Sequence, residues 1–392
     1  MVHIYYLTMH VIPKQAAEMA VVENRPVVRR VVLKIGSRIL TGGSDRLDTA
    51  RFKSIAERIV GASGVETVIV SSGAIAAGFA TLGYSAPPER VQDRQAAAAV
   101  GQTKLMSRWA DVFEEVGRDV AQVLLTNDCL TDRRRYVTAR QALSALLEKG
   151  VVPIVNENDT VSVDEIMVGD NDNLAAMTAA LVDADLLVLL TDVAGVYPRD
   201  PRDDPSVVPI PFADSASELA AYTYKKTAAA SIGGMATKLE AAQKAGSYGI
   251  PTVITSGEDA EALGVALRGG ATGTYIAAAR TPLVARKHWM SVQNRPRGAV
   301  VADAGAIAAI RRKASLLPKG ITAVQGRFQR GDLVSVVDET GVERARGLVR
   351  YDDRDVERIR GLHSSEVGPR LGEDGGGVVM RPDRMFIVED EG

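Results

Sequence analysis

The chain has 392 residues, with 47 Lys and Arg against 49 Asp and Glu, and 46% of its residues are hydrophobic. This length allows more than one hydrophobic core, and the composition is that of a folded protein, not a disordered or collagenous one. A formal net charge of -2 argues against a protein whose whole surface binds polyanions. With Cys129 as its single cysteine, the chain has no intrachain disulfide and no cysteine cluster for structural zinc.

Residues 1–26 mix polar and apolar side chains and lack the basic stretch and apolar run of a secretory signal. We expect this segment to be a disordered N-terminal extension. No uncharged apolar run in the chain approaches the roughly 20 residues that cross a bilayer. The sequence therefore predicts a cytoplasmic protein that does not bind a membrane.

From residue 27 onward, short β-branched runs alternate with alanine-rich segments that favour helix. This alternation predicts an α/β fold, with a mostly parallel sheet covered by helices on both faces. Ligands of such sheets bind beyond the carboxyl ends of the strands, so polar residues there are candidate site residues. The predicted strands are 27–35, 66–71, 120–126, 151–156, 186–191 and 251–254, and the predicted helices are 51–62, 94–116, 139–149, 174–181 and 235–245.

The alternation stops near residues 280–296, where a second pattern begins. Short strands with glycine turns follow, with candidates at 331–337 and 347–351. We therefore expect a larger domain over residues 27–282 and a small, mostly β domain over residues 296–388. Basic residues crowd the start of the small domain: Arg295, Arg297, Arg311, Arg312, Lys313, Lys319, Arg327 and Arg330.

Two early segments suit an anion. Residues 32–37, Val-Leu-Lys-Ile-Gly-Ser, bring Lys34 to the end of the first predicted strand, and a lysine there either binds phosphate or merely caps the strand. Residues 71–78, Ser-Ser-Gly-Ala-Ile-Ala-Ala-Gly, follow a strand and open a helix whose free N–H groups bind an anion. This segment lacks the ending of a Walker A loop and the Gly-x-Gly-x-x-Gly fingerprint, so a plain helix cap is the alternative.

The densest polar pattern lies in the middle of the chain. Residues 156–160, Asn-Glu-Asn-Asp-Thr, follow a predicted buried strand, and residues 169–173, Gly-Asp-Asn-Asp-Asn, precede a predicted helix. Asn and Asp also favour ordinary turns, which is the alternative interpretation. Asp170 and Asp172 would need cations or N–H donors nearby if they were buried.

Two later segments suit a nucleotide. Residues 191–197, Thr-Asp-Val-Ala-Gly-Val-Tyr, end a predicted strand in a turn, and residues 233–238, Gly-Gly-Met-Ala-Thr-Lys, start a helix with Lys238 in its first turns. Both segments also have an ordinary structural interpretation. No histidine lies near any of these motifs, which excludes a histidine base there and suits an acceptor that is already ionised, such as a carboxylate. The four histidines are His3, His10, His288 and His363.

In their order and spacing, these motifs resemble those of the amino acid kinase family, and within it the glutamate 5-kinases, from about residue 28 to residue 281. Residues 315–321, Ser-Leu-Leu-Pro-Lys-Gly-Ile, and 331–334, Gly-Asp-Leu-Val, resemble the PUA domain attached to many bacterial members. The resemblance implies an αβα sandwich that transfers the γ-phosphoryl group of ATP to the side-chain carboxylate of L-glutamate. Mg²⁺ would be held mainly by the nucleotide phosphates, so no protein metal site is expected.

The resemblance also assigns roles to matching residues. Lys34 and Lys238 would neutralise the transferring phosphoryl group, and Asp172 would align the two lysines. The glutamate contacts would be Ser72, Asp159, which would pair with the α-amino group, and Asn171, with Asp170 nearby. The ATP contacts would be Lys34, Thr191, Asp192, Ile232, Gly233, Gly234, Met235, Ala236, Thr237 and Lys238.

The resemblance leaves alternatives open. The acceptor of a sibling kinase, such as acetylglutamate, aspartate, carbamate or UMP, would keep the same fold. A role in RNA binding through the basic small domain belongs to another class, although the domain lacks interleaved aromatic residues that stack on bases. The family further implies feedback inhibition by proline and a homo-oligomer, a dimer or tetramer. The chain departs from the family pattern at three places: Arg38, Met167 and the adjacent pair Ser231 and Ile232.

Overall fold

The computed structural model describes residues 27–44, 46–126, 129, 132–161, 171–222, 234–278, 296–372 and 377–388. The predicted N-terminal extension, residues 1–26, lies outside this part of the chain. By their contacts, the described residues form two compact units. The first takes residues up to 126, 141–246 and 250–278, and the second takes 127–140, 247–249 and 296–388, as far as these are described.

An eight-stranded sheet forms the centre of the first unit. Its strands are β1 Arg30–Ile35, β2 Glu66–Ser71, β3 Val120–Leu125, β4 Val152–Glu157, β5 Leu186–Thr191, β6 Phe212–Ala213, β7 Thr252–Ser256 and β8 Thr274–Ile276. The strand order is β3-β4-β2-β1-β5-β7-β8-β6, and every neighbouring pair is parallel except β7 and β8. The carboxyl ends of β4, β2, β1 and β5 therefore meet along one edge, where ligands of such sheets bind.

Helices connect these strands. They are α1 Ser37–Thr41, α2 Thr49–Gly61, α3 Ala74–Gly78, α4 Val91–Glu115, α5 Arg133–Glu148, α6 Asn171–Leu181, α7 Ala216–Leu219, α8 Met235–Ser247 and α9 Ala260–Leu267. Helix α2 begins where the Asp48 side chain accepts a hydrogen bond from the Ala50 amide at 2.9 Å, and Asp259 caps α9 in the same way. Within the described residues, no helix combines the length and the apolar character that a membrane span requires.

Helices α3 and α4 cross with their backbones in contact. A Cβ atom on Gly78 would lie 1.9 Å from the carbonyl oxygen of Ala97, and one on Gly101 would lie 1.7 Å from that of Ala74. Only glycine fits at either position. Gly78, which ends one of the predicted anion-binding segments, thus has a packing role. The crossing holds α4 close to the end of β2, where α3 begins.

An aromatic cluster packs against the end of β2 and α4. Trp109 on α4 is fully buried, with its ring 4.4 Å from that of Phe52 and 5.9 Å from that of Phe113, measured between ring centres. The indole Nε1 donates a hydrogen bond to Ser71 Oγ at 3.2 Å, which satisfies the one polar atom of this side chain. The last residue of β2 is thereby fixed to α4.

The second unit contains a five-stranded sheet with the order β10-β9-β11-β12-β13. Its strands are β9 Gly298–Ala302, β10 Ile321–Gly326, β11 Leu333–Val337, β12 Glu343–Leu348 and β13 Met385–Ile387, and its helices are α10 Ala304–Arg311, α11 Asp353–Ile359 and α12 Val367–Leu371. Strands β9 and β11 are parallel, and the other pairs are antiparallel. A separate apolar core, which includes Val300, Phe328 and Val336, lies within this unit.

The predicted fold class, a mostly parallel α/β sheet followed by a small β-rich unit, is confirmed, and strands β2 and β5 have the predicted bounds. The strand predicted at 347–351 is wrong, since β12 ends at Leu348. Gly347 lies within β12, where a Cβ atom would lie 2.8 Å from the sulfur of Met380. This glycine therefore permits close packing and does not mark a turn. Several short elements escaped prediction, among them α1, β6 and β8.

Candidate active site

Three side chains predicted to act together meet at the strand ends. Lys34 Nζ, near the end of β1, lies 2.6 Å from Asp172 Oδ1, and Lys238 Nζ, on α8, lies 3.1 Å from Asp172 Oδ2. Asp172 lies in the first turn of α6 and is 2% exposed, while the two lysines are 6% and 5% exposed. One buried carboxylate therefore bridges two ammonium groups from distant parts of the chain.

The charges of this triad determine its protonation. Burial alone would raise the pKa of Asp172, but the neighbouring charges of Lys34 and Lys238 outweigh it and lower the pKa to about 2. At neutral pH Asp172 is therefore ionised and pairs with both lysines. Two ammonium groups held side by side, with only one carboxylate to balance them, are suited to a phosphoryl group.

The start of α8 adds a hydroxyl to the triad. Thr237 Oγ1 donates to Asp172 Oδ2 at 3.0 Å, or to the carbonyl oxygen of Gly234 at 2.9 Å. Met235 and Ala236, which were also predicted to contact the nucleotide, lie beside Thr237 in the first turn of α8, where Met235 is partly exposed and Ala236 is exposed. Ile232 and Gly233 lie outside the described residues.

A second polar cluster surrounds Asn171, the residue before Asp172. Asn171 Nδ2 donates to three acceptors: Ser72 Oγ at 2.8 Å, Asn156 Oδ1 at 3.0 Å and the carbonyl oxygen of Ser71 at 3.3 Å. Because Ser72 Oγ accepts from Asn171, its own O–H remains to donate to a ligand. Asp170, the fourth predicted glutamate contact, lies outside the described residues.

Asp159 follows the end of β4 and is partly buried. Burial raises the pKa of its carboxyl group to about 6, and the positive charge of Arg94 on α4 opposes this shift. A carboxylate in this setting gains from an additional cation, because a bound ammonium group would stabilise its charged form. This is the property expected of a partner for a substrate amino group.

Thr191 and Asp192, the predicted nucleotide contacts at the end of β5, are linked to each other and to α1. Thr191 Oγ1 donates to Asp192 Oδ1 at 3.1 Å, and the guanidinium of Arg38 lies 3.4 Å from Asp192 Oδ2. Arg38 is one of the three departures from the family pattern. In this structure Arg38 therefore pairs with Asp192, a predicted nucleotide contact.

The structure also brings in residues that were not predicted as site residues: Asn156, Thr237 as a partner of Asp172, and Gln102 on α4. Asn156 Nδ2 donates to Gln102 Oε1 at 2.8 Å across 54 residues of sequence. Asn156 belongs to the polar run 156–160, which was a usable signal. Gln102 lies in the middle of a long helix and has no signal in its local sequence.

The amino acid kinase family model matches residues 29–256, more than half of the 392 residues. This chain belongs to the amino acid kinase family. The PUA domain model matches residues 298–369 of the same chain. This amino acid kinase is therefore a kinase with a C-terminal PUA domain, and the predicted family and enzyme class are confirmed.

Curated relatives extend the similarity over nearly the whole chain. Glutamate 5-kinase from Shewanella amazonensis is 44% identical over 365 residues, which cover 92% of this amino acid kinase and 96% of the relative. Glutamate 5-kinase from Geobacter sp. strain M21 is 43% identical over 365 residues, with 92% and 98% covered. The crystal structure of UMP kinase from Bacillus anthracis aligns with 65% of this chain and 98% of that chain, at 15% identity and a TM-score of 0.47.

Proposed function

We propose that this amino acid kinase transfers the γ-phosphoryl group of ATP to the γ-carboxylate of L-glutamate, giving L-glutamyl 5-phosphate and ADP, the first step of proline biosynthesis. The observation that carries the proposal is the buried triad of Lys34, Asp172 and Lys238 at the strand ends. Relatives with 43–44% identity over 92% of the chain bear the name glutamate 5-kinase, which supports the choice of substrate.

In the proposed reaction, an oxygen of the γ-carboxylate attacks the γ-phosphorus of ATP. A new bond forms between that oxygen and phosphorus, the bond to the β-phosphate oxygen breaks, and ADP leaves with the electron pair. A free glutamate side chain has a pKa of about 4.3, so the acceptor is already ionised at neutral pH and needs no general base. Lys34 and Lys238 neutralise the charge on the transferring group, and Asp172 holds them in position.

Magnesium would enter with the nucleotide. Among the residues whose placement is described, no group of three or more His, Cys, Asp and Glu side chains is arranged to hold a metal ion. Both oxygens of Asp172 already meet lysines, so this carboxylate serves the ammonium groups. We therefore assign Mg²⁺ to the phosphates of ATP, where it supplies charge neutralisation.

Glutamate would occupy the cluster beyond the triad. The free O–H of Ser72 and the amide of Asn171 lie next to Asp172, which suits the γ-carboxylate end of the substrate. The partly buried carboxyl of Asp159 suits the α-ammonium group. An N-acylated substrate lacks that positive charge, so this pairing would separate glutamate from acetylglutamate.

The test uses the purified full-length chain with ATP, Mg²⁺ and hydroxylamine, which traps an acyl phosphate as a hydroxamate. L-glutamate, L-aspartate, N-acetyl-L-glutamate and carbamate are offered one at a time, with UMP followed through ADP release. Glutamate-dependent hydroxamate and ADP in equal amounts are expected. Turnover with a sibling substrate alone would refute the proposal.

The remaining family properties are proposals of the same kind. We infer that residues 27–282 form the catalytic domain and residues 296–388 the PUA domain, that the protein is cytoplasmic, that proline inhibits the enzyme, and that it assembles as a homo-oligomer. Repeating the hydroxamate assay with proline tests the inhibition, and sedimentation velocity tests the assembly. A salt-dependent shift of structured RNA by the wild type, lost on neutralising Arg311, Arg312 and Lys313, tests RNA binding.

A further inference from the structure

The amide of Gln102 lies at the end of a chain of hydrogen bonds that starts beside the triad. Asn171 donates to Asn156 Oδ1 at 3.0 Å, and Asn156 Nδ2 donates in turn to Gln102 Oε1 at 2.8 Å. The three side chains come from α6, β4 and α4. They therefore connect the proposed glutamate contacts to a helix that no predicted motif included.

One backbone carbonyl determines which side-chain amide atoms of Asn171, Asn156 and Gln102 donate and which accept in this hydrogen-bond network. The carbonyl oxygen of Ser71 only accepts hydrogen bonds, so the atom of Asn171 that contacts it at 3.3 Å is the NH₂ group. The Asn156 atom facing that NH₂ group is then an oxygen, and its own NH₂ group faces Gln102. Gln102 consequently presents its oxygen to Asn156 and directs its NH₂ group elsewhere.

That NH₂ group is buried and, among the residues that the structure describes, has no hydrogen-bond partner. An unsatisfied buried amide donor is costly, and most such groups in native proteins are paired with protein or with ordered water. The group that would satisfy it is a hydrogen-bond acceptor, and in the occupied site a substrate can supply one. Among the parts of an amino acid, a carboxylate fits this description.

We propose that Gln102 Nε2 donates a hydrogen bond to the α-carboxylate of the bound substrate, and that Gln102 is thus a specificity-determining residue. This inference rests on the proposed function, in which the substrate is L-glutamate. The sheet order places β2 between β1, which carries Lys34, and β4, which carries Asn156. Neighbouring strands are about 4.8 Å apart, so β4 lies roughly 10 Å from β1, on the side remote from phosphoryl transfer.

The position of Asp159 supports the assignment to the α-carboxylate. Asp159 follows Asn156 by three residues at the end of β4, and its carboxyl is the proposed partner of the α-ammonium group. The α-carboxylate and the α-ammonium group share one carbon atom. Gln102 would therefore bind the α-carboxylate as a donor, and Asp159 would bind the α-ammonium group on the same carbon as an acceptor.

Two substitutions at Gln102 separate this role from a purely structural one. Gln102→Glu keeps an oxygen that accepts from Asn156 but removes the donor, and Gln102→Met removes both functions at similar size. If Gln102 only orients Asn156, the KM of the Glu variant for L-glutamate equals that of the wild type. If Nε2 holds the substrate, Gln102→Glu places one carboxylate against another, and the KM for L-glutamate rises at least about tenfold.

The experiment measures hydroxamate formation by the full-length wild type and both variants with L-glutamate and with L-isoglutamine, whose α-carboxylate is an amide. In Gln102→Glu, the ratio of kcat/KM for glutamate to that for isoglutamine should fall at least about 100-fold, because the amide of isoglutamine donates to the new carboxylate. The KM for ATP should stay close to the wild-type value, whereas the thermal midpoint of Gln102→Glu should fall because burial penalises the new charge.

An unchanged KM for glutamate in Gln102→Glu would overturn the inference, as would equal losses for both substrates or no turnover of isoglutamine by this variant. An inactive wild type would instead refute the proposed function.

Discussion

Lys238 Nζ lies 3.1 Å from Asp172 Oδ2, although 66 residues separate the two in the sequence. The opposite oxygen of the same carboxylate lies 2.6 Å from Lys34 Nζ. Without this carboxylate, two buried ammonium groups would face one another. The carboxylate thus stabilises the two ammonium groups that we propose act on the transferring phosphoryl group.

Replacing Asp172 by Asn should lower stability sharply, because it leaves two buried lysines uncompensated. Breaking one side of a buried ion pair costs about 3–5 kcal/mol, and the thermal midpoint reports the loss. The matched control is Glu115→Gln, which breaks the exposed pair between Glu115 and Lys53 at 2.7 Å and should change stability little. A midpoint in Asp172→Asn no lower than in the control would contradict the assigned role.

Glutamate affinity should depend on pH through Asp159. Its pKa of about 6 lies above the ordinary 3.8 because burial penalises the charged form. Above pH 6 the group is charged and binds the α-ammonium of glutamate, and below pH 6 it becomes neutral. The KM for glutamate should therefore rise about tenfold for each pH unit below 6.

Above pH 6 the charge of Asp159 favours substrate binding but opposes folding. Because its folded pKa is raised, the carboxylate opposes folding above pH 6, and this penalty disappears as pH falls from 6 towards 3.8. Asp159→Asn should have a high KM for glutamate at every pH and should lose the pH dependence near 6. A wild-type KM that stays constant between pH 5 and pH 7 would show that this carboxyl does not read the substrate.

Adding a methyl group at Gly101 should separate α3 from α4 and disturb the site. The new Cβ atom would lie 1.7 Å from the carbonyl oxygen of Ala74, so one backbone must move. Because Ser72 and Gln102 lie near the crossing, Gly101→Ala should lower both the thermal midpoint and kcat/KM for glutamate. Gly61→Ala is the control, since no atom lies within 4 Å of its new Cβ atom. Equal behaviour of the two variants would refute the packing role.

Arg38 should affect the nucleotide and not glutamate. Its guanidinium lies 3.4 Å from Asp192, but both side chains are about half exposed, so the pair contributes little stability. In Arg38→Ser the KM for ATP should rise several-fold, because Asp192 loses the cation that positions its carboxylate. Arg38→Lys should recover part of the loss. A change confined to the KM for glutamate would contradict the nucleotide assignment of Asp192.

The sheet of the first unit was predictable because its strands are short apolar runs that end in polar turns. Lys34 and Lys238 were singled out because a lysine at a strand end or in the first turns of a helix suits a phosphoryl group, and Asp172 because the family motifs contain it. The bounds were less predictable: α6 begins at Asn171, so residues 171–173 of the polar run, predicted to precede the helix, lie within it. There Asn171 and Asp172 contact two different sets of partners.

Gln102 was not predictable, because its local sequence is that of an ordinary helix. Its role depends on a hydrogen bond to Asn156, 54 residues away, and on the crossing at Gly78 and Gly101 that brings α4 to the strand ends. Such contacts are properties of the folded chain. Local sequence patterns also misplaced β12, since a glycine within a strand resembles a turn until its packing partner is known.

The most direct test of this account compares kcat for hydroxamate formation in three lysine variants. Lys34→Met and Lys238→Met each remove one ammonium group of the triad, whereas Lys53→Met removes an exposed lysine on α2 that pairs with Glu115. We predict that kcat falls at least about 100-fold in each of the first two, while the third retains wild-type activity. Near wild-type turnover in either Lys34→Met or Lys238→Met would contradict the claim that the two lysines act together on the transferring phosphoryl group.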